Sequence, residues 1–306
     1  DLLTRGSLDL APHQRTMRDT IAWSYALLTP REQDAMCRLC VFAGGFSVAA
    51  AEAMLRGEGS SPGQGDDALD VLASLVDKSL LRKVSDSDRD ARLSILVAIR
   101  EFCSEQLRAQ GGTDAAREAH ARWHLALAEQ ASPGIHGPVA EQWLARLDAE
   151  RANFVLAFAW FEEHGDGAGV VRLASLLRDY WILRARYAEG LPWMEHALAW
   201  IQRDPSVDPV TEFECLLGAG WMSLRQGDSD RLTRYSAAAL ERARATGDRQ
   251  RIVRALDLES AVARRWNDHA RALALLEESL ALCHASEDRA GAATAMRGSG
   301  YALMNL

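Results

Sequence analysis

Read alone, the sequence predicts a mainly α-helical protein with one small β-hairpin in its first third and a solenoid of helical hairpins at its end. Three observations carry this. Nearly every stretch spaces its apolar residues with the 3.6-residue period of an amphipathic helix. Only two short runs, Leu80 to Val84 and Arg92 to Ile95, depart from it towards strand. The last third repeats itself: Gly227-Asp228 recurs as Asn267-Asp268, and Gly247-Asp248 as Glu287-Asp288, each 40 residues later.

In chain order, Met17, Ile21, Tyr25 and Leu28 share one helix face. Thr29-Pro30-Arg31-Glu32 reads as a helix start, because Thr29 can cap, Pro30 suits the first helical position and Glu32 completes a capping box. That helix is expected to run to Phe42 and stop at Gly44-Gly45, after which Ser47 caps a short helix ending near Gly57. Gly57 to Gly65 is a Gly/Ser/Pro-rich loop, followed by a helix from about Asp66 to Asp77 with Leu69, Leu72 and Val76 inward. The two strands flank a polar turn from Ser85 to Asp90, and a helix from Val97 to Ala109 buries Ile99, Phe102 and Cys103. Three helices, a hairpin and a closing helix make a winged-helix pattern.

Beyond Gly111-Gly112 only helices are expected. Paired helices at a fixed period of this size signal a solenoid, in which each hairpin buries its apolar side on its neighbour. Leu240 matches Leu280, and Gly220, Ser260 and Gly300 hold one small-residue position; a looser copy runs through Tyr187, Trp193 and Leu198. The expected organisation is a winged-helix domain with an N-terminal linker at 1–110, a helical connector at 111–210 and hairpin repeats at 211–306. The chain opens on Asp1 and stops at Leu306, halfway through a third hairpin that would leave Met296 and Leu303 uncovered, so a longer parent protein is expected.

With 48% hydrophobic and 25% charged residues the composition is that of a globular protein. No apolar run reaches the ~18 residues of a membrane span, and no signal-peptide pattern opens the chain. A net charge of −8 argues against a surface built to collect phosphates. Five scattered cysteines argue against a disulfide framework, and reduced thiols in the cytoplasm are expected.

Several segments resemble a known family. Thr16 to Leu28, Val41 to Phe46, Leu72 to Leu81, Ile99 to Phe102, and Trp143 to Glu150 with Asn153 after it are similar, in that order, to the region following the ATPase core in bacterial STAND-type regulators of the AfsR- and LuxR-like kind. The last third looks like tetratricopeptide repeats. The resemblance implies a large cytoplasmic switch: a nucleotide-binding domain, a winged helix, a helical sensor, and a DNA-binding domain at one end. This chain would be the winged helix plus part of the sensor. It would be regulatory rather than enzymatic, would take no cofactor itself, and would leave ATP or ADP to the parent. Its partners would be an effector and its own nucleotide-binding domain, with DNA reached through another domain and no membrane. Consistent with that, no Gly-x-x-x-x-Gly-Lys-Ser/Thr phosphate loop occurs. Where related switches often place a polar, nucleotide-sensing residue, this chain has Leu96-Val97-Ala98, which puts nucleotide contact by the winged helix in doubt.

Leu28 to Glu32 also resembles the opening of a LuxR-type helix-turn-helix, and direct DNA binding is the alternative reading. A recognition helix needs basic or polar groups aimed at base edges, whereas Asp66, Asp67, Asp70 and Asp77 line the corresponding helix. A third reading is a static oligomerisation scaffold. Cys37-x-x-Cys40 sits in an apolar run without a second pair and reads as core packing. His120 and His124 lie four apart on one helix face, but Ala121 stands where a metalloprotease carries Glu, so a structural role is expected. Most of the mid-chain tryptophans are expected to lock helix pairs.

In tetratricopeptide arrays the first helix of each pair lines the ligand groove. Registered on the small residue, the groove positions implied here are Glu214, Leu217, Trp221, Leu224 and Arg225, then Arg254, Asp257, Ala261, Arg264 and Arg265, then Thr294, Arg297, Tyr301, Met304 and Asn305. The candidate site is Trp221, Arg225, Arg254, Asp257, Arg264, Arg297 and Tyr301. Arginines beside aromatics suit a carboxylate-bearing or acidic-aromatic effector, whether protein, peptide or small inducer. The plainer alternative is that arginine is common on helix surfaces.

Overall fold

A computed structural model describes residues 12–56, 65–85, 91–204 and 208–305. Most of the Gly57–Gly65 loop, the turn after Ser85, Leu306 and the side chains of Asp66 and Asp67 lie outside these residues. The described residues form fourteen α-helices, three short strands and one 3₁₀ turn, and the chain divides into two compact units, residues 1–127 with 145–160, and 128–144 with 161–306.

The first unit is the winged helix. It comprises α1 (Pro12–Ala26), α2 (Pro30–Leu39), β1 (Phe46–Ser47), α3 (Val48–Leu55), α4 (Gly65–Asp77), β2 (Leu81–Ser85), β3 (Arg92–Ile95) and α5 (Val97–Ala109). To these are added most of α6 (Thr113–Ala131) and the middle of α7 (Ala140–Glu163). The Thr29 capping box forms: Thr29 Oγ1 accepts from Glu32 N–H at 3.3 Å and Glu32 Oε2 accepts from Thr29 N–H at 2.8 Å. The same carboxylate accepts from Ser74 Oγ at 2.6 Å and from Lys78 Nζ, so one cap also fastens α2 to α4. Those donors, Lys78 first, hold Glu32 down at about 2. Ser47 caps α3 through Ala50 N–H. Helix α2 ends at Leu39, earlier than Phe42, because Cys40 begins the turn that carries Gly44 at φ +79° and aims the chain into β1.

The sheet has three strands, not two: antiparallel order β1-β3-β2, with Phe46 opposite Leu93 and Leu81 opposite Ile95. Its inner face and the helices close on Met36, Leu39, Phe46, Leu75, Leu81 and Cys103, with Tyr25 edge-on to Phe102 at 5.4 Å.

The second unit is the array of helical hairpins expected from the 40-residue period. After the 3₁₀ turn Gly134–His136 come α8 (Gly167–Leu183), α9 (Tyr187–Arg203), α10 (Pro209–Gln226), α11 (Ser229–Thr246), α12 (Arg249–Arg265), α13 (His269–Ala285) and α14 (Arg289–Leu303). First helices α8, α10, α12 and α14 pack on one another in sequence. The true period is the single helix: Asp208, Asp228, Asp248, Asp268 and Asp288 recur every 20 residues, and each caps its helix by accepting from a backbone N–H two or three residues on. The preceding residue turns left-handed at Gly227, Gly247, Asn267 and Glu287. Small residues sit where helices approach. A Cβ on Gly220 would lie 2.5 Å from Leu258, and one on Gly190 2.6 Å from the Trp181 ring. Trp181 is fully buried and edge-on to Trp193 at 5.3 Å, an interlock of the expected kind. Met296 and Leu303 on α14, and Met304 just beyond its end, are exposed.

Candidate functional site

In the winged-helix unit, the stretches that carry the family resemblance converge on one buried polar clamp. Asn153 Oδ1 accepts from Ala43 N–H at 2.7 Å, and its Nδ2 donates to Gly45 O at 3.0 Å and Glu150 Oε2 at 2.6 Å. Arg92 reaches Glu150 Oε1 at 2.5 Å, Gly45 O at 2.9 Å and Ala149 O at 3.0 Å. The turn Ala43-Gly44-Gly45 is thereby held on both sides. His124 Nε2 stands 3.5 Å from Glu150 Oε2, His124 Nδ1 2.7 Å from His120 O, and His120 Nε2 3.4 Å from Asn153 Oδ1. Burial disfavours the Glu150 anion, yet His124 and Arg92 outweigh it and hold the carboxyl at about 2. Burial, with His124 beside it, lowers His120 to about 3 and keeps it neutral. The two histidines are thus spent on structure, and among the described residues no group of three His, Cys, Asp or Glu side chains is placed to hold a metal.

Helix α4 occupies the recognition position of a winged helix. Its outward residues are Leu69, Asp70, Ala73 and Asp77, with no guanidinium or ammonium before Lys78, which is tied to Glu32. Leu96 and Val97, at the doubtful nucleotide-sensing position, are exposed and apolar. Cys37 and Cys40 are core residues: Cys40 Sγ donates to Cys37 O at 3.0 Å, and burial pushes its thiol up to about 12.

The first-helix layer of the array carries the expected wall residues, in two groups. Arg254 is already occupied: its Nη1 and Nη2 donate to Glu214 Oε1 and Oε2 at 2.6 and 2.8 Å, with its guanidinium 5.5 Å from the Phe213 ring. Glu214 also meets Arg178 Nη1, and Arg178 forks onto Asp179 with two 2.7 Å bonds, so a charge ladder runs across α8, α10 and α12. Burial opposes the Asp179 anion, but Arg178 and His136 hold it at about 2. The other group lies on α12 and α14. Asp257, raised to about 6 by burial, accepts from Ser279 Oγ at 3.4 Å and feels Arg264 and Arg297. Arg264 donates to Ser260 Oγ at 3.1 Å and feels Tyr301, which is 62% exposed. Half-buried Trp221 and exposed Arg225 sit at the far end of α10. Leu217 and Ala261 are buried between helices and face no groove. Arg178 and Asp179 escape the sequence register because α8 precedes the clean repeats; Gly218 is the surviving signal, since a Cβ there would meet Arg178 Cγ at 2.6 Å.

Comparison with known proteins places this geometry. Residues 28–108 match the family model described as a winged helix-turn-helix domain. The "Putative HTH-type transcriptional regulator Rv0890c" of Mycobacterium tuberculosis is 35% identical over 197 residues, 64% of this chain and 22% of that protein, and its Mycobacterium bovis counterpart matches equally. The chain thus spans about a fifth of the regulators it resembles. The "Uncharacterized protein Rv0894" of Mycobacterium tuberculosis is 35% identical over 112 residues, 37% of this chain and 28% of that one. A solved STAND protein with a tetratricopeptide repeat sensor from Pyrococcus horikoshii aligns with a TM-score of 0.44 at 15% identity, over 97% of this chain and 56% of that one. Among the described residues no helix is long and apolar enough to cross a membrane. The chain therefore carries a winged helix-turn-helix domain at residues 28–108 and, over 197 residues, is similar to proteins named as putative HTH-type transcriptional regulators.

Proposed function

We propose that this chain is the regulatory part of a larger cytoplasmic transcriptional regulator, in which the helical array binds an effector and the winged helix packs within its own protein instead of reading DNA. The observation that supports this best is the outward face of α4, where Leu69, Asp70, Ala73 and Asp77 stand in place of the basic residues a DNA reader needs. Arg264, Arg297 and Tyr301 give the array's first-helix layer a cationic, aromatic edge that suits an acidic peptide or carboxylate-bearing inducer. The family resemblance supplies the next link: effector binding would bias how the winged helix restrains a nucleotide-binding domain that holds ATP or ADP. Such coupling requires an effector that binds the on and off states unequally.

The test is a promoter-reporter assay in the longer regulator carrying Arg264→Glu or Arg297→Glu. Loss of induced transcription with normal protein level is the expected outcome. Unchanged induction in both variants would remove this wall as the sensing surface. A second reading, DNA binding by the wing, draws on Arg82 and Lys83, both exposed on β2.

A further inference from the structure

Beside the clamp, the winged-helix unit holds two adjoining clefts of about 200 and 320 Å³, which share Cys40 and Ser104. The larger is lined by Arg100, Glu101, Glu105 and Arg108, so its charges balance and it favours neither sign. Two of these groups are already engaged: Arg18 forks onto Glu105, and Arg100 donates to Phe42 O at 3.3 Å.

The smaller cleft is different, because no carboxylate lines it. Val41, Leu107 and Leu156 give it an apolar side, and Ser104, Thr113 and Arg117 bring hydroxyls and a guanidinium. Its other polar groups are spoken for. The Cys40 thiol donates to Cys37 O, and His120, held neutral by burial, stands 3.4 Å from Asn153 Oδ1. The cleft also meets the start of α6, where Gly112 occupies the N-cap and brings no side chain to the first-turn N–H groups. No capping side chain fits there, since a Cβ on Gly112 would lie 2.9 Å from Leu107 Cδ1. Thr113 follows, and its hydroxyl is buried without a hydrogen-bond partner. Such orphans are rare in folded proteins, and this one lacks an acceptor. Asp114, in the same turn, is exposed and does not line the cleft.

We propose that the smaller cleft binds a small monocarboxylic acid with a compact apolar body. The Thr113 and Ser104 hydroxyls and the Arg117 guanidinium hold the carboxylate at the positive end of α6, and Val41, Leu107 and Leu156 take the body. The volume, below the roughly 300–1,000 Å³ of drug-sized sites, limits the ligand to a few carbons or a single ring. His120 on the same wall belongs to the clamp, so the site gives the winged helix an input of its own. It does not rest on the effector reading of the array.

Isothermal titration of the 306-residue chain with benzoate, and with benzylamine as the probe of similar shape and opposite charge, tests it. Saturable binding of benzoate and none of benzylamine is expected. Thr113→Val removes a hydroxyl that bonds nothing in the protein, so the melting temperature should hold or rise while benzoate weakens about tenfold. Leu156→Trp, at a partly exposed position on the apolar side, should fill the cleft and abolish binding. Arg297→Glu, in the array wall, should leave benzoate affinity unchanged. Absence of benzoate binding, equal affinity for the two probes, or full affinity in Thr113→Val would each overturn the proposal. If Leu156→Trp fails to fold, Thr113→Val with its intact melting curve still decides the matter.

Discussion

In the winged-helix unit, five polar side chains that occur once each, Arg92, His120, His124, Glu150 and Asn153, close a buried network around a three-residue turn. The helical array has one such ladder, Arg178, Asp179, Glu214 and Arg254, but is otherwise built from repeated parts: an aspartate every 20 residues starts a helix, a left-handed residue before it ends the previous one, and glycines admit the neighbouring side chains. The first arrangement concentrates stability and specificity in a few atoms, so it should fail abruptly. The second spreads it over many small, interchangeable contributions, as expected of a solenoid.

The largest effect should come from breaking the clamp. Glu150→Ala strands the Arg92 guanidinium in a site where it is only 15% exposed. Losing one partner of a buried pair costs about 3–5 kcal/mol, so urea unfolding should show the winged-helix transition shifted by that amount with the array transition in place. A shift below about 1 kcal/mol would show the network to be dispensable. Acid should separate the units too. His120, ordinarily near 6.5, titrates at about 3 when folded, so its contribution is complete above pH 6.5 and fades as pH falls towards 3. Glu150, near 2 instead of 4.5, adds a loss between pH 4.5 and 2. Asp257 in the array works in the opposite sense: its folded value of about 6 stands above 3.8, so the array gains as pH falls from 6 to 3.8. Circular dichroism melts at pH 7.5 and 5 should therefore show the winged helix, and not the array, losing stability.

Next in size is Gly190→Ala, whose new methyl carbon would press on Trp181. Overpacking of this kind costs about 1–3 kcal/mol in the array's melting transition, less whatever helix propensity alanine returns. Removing a single cap, Asp248→Ala, should cost about 1 kcal/mol, and Asp248→Ala with Asp288→Ala should cost nearly the sum, since distant repeats act independently. The smallest change should be a gain. Glu287 holds φ +55°, a conformation in which a side chain is unfavourable, so Glu287→Gly should stabilise the array by about 0.5–1 kcal/mol. Destabilisation there would mean the Glu287 side chain matters more than its backbone.

Much of this fold was legible in the residues because its signals are local. Thr29 and Glu32 make their capping box, the span of α5 matches its apolar spacing, and the 40-residue repeat becomes hairpins. Strand β1 was not legible, since two residues are too short to show alternation and only pairing with β3 makes them a strand. The clamp was hidden for a related reason. Arg92, His120 and Asn153 are far apart in sequence, and no local period links a side chain to the turn it will hold. At the candidate wall, the repeat register singles out positions on α10, α12 and α14, yet a rigid template cannot see which neighbours arrive. Leu217 and Ala261 turn into the packing, and Arg254 meets Glu214 forty residues upstream.

The division of labour between the two units is tested most directly by fluorescence anisotropy of a labelled DNA duplex titrated with the 306-residue chain at 50 and 200 mM salt. If the winged helix is a packing element, no saturable binding appears at either salt concentration. Micromolar binding that weakens steeply with salt, and that disappears when Arg82 and Lys83 are both changed to alanine, would contradict that claim and make the wing a DNA-reading surface.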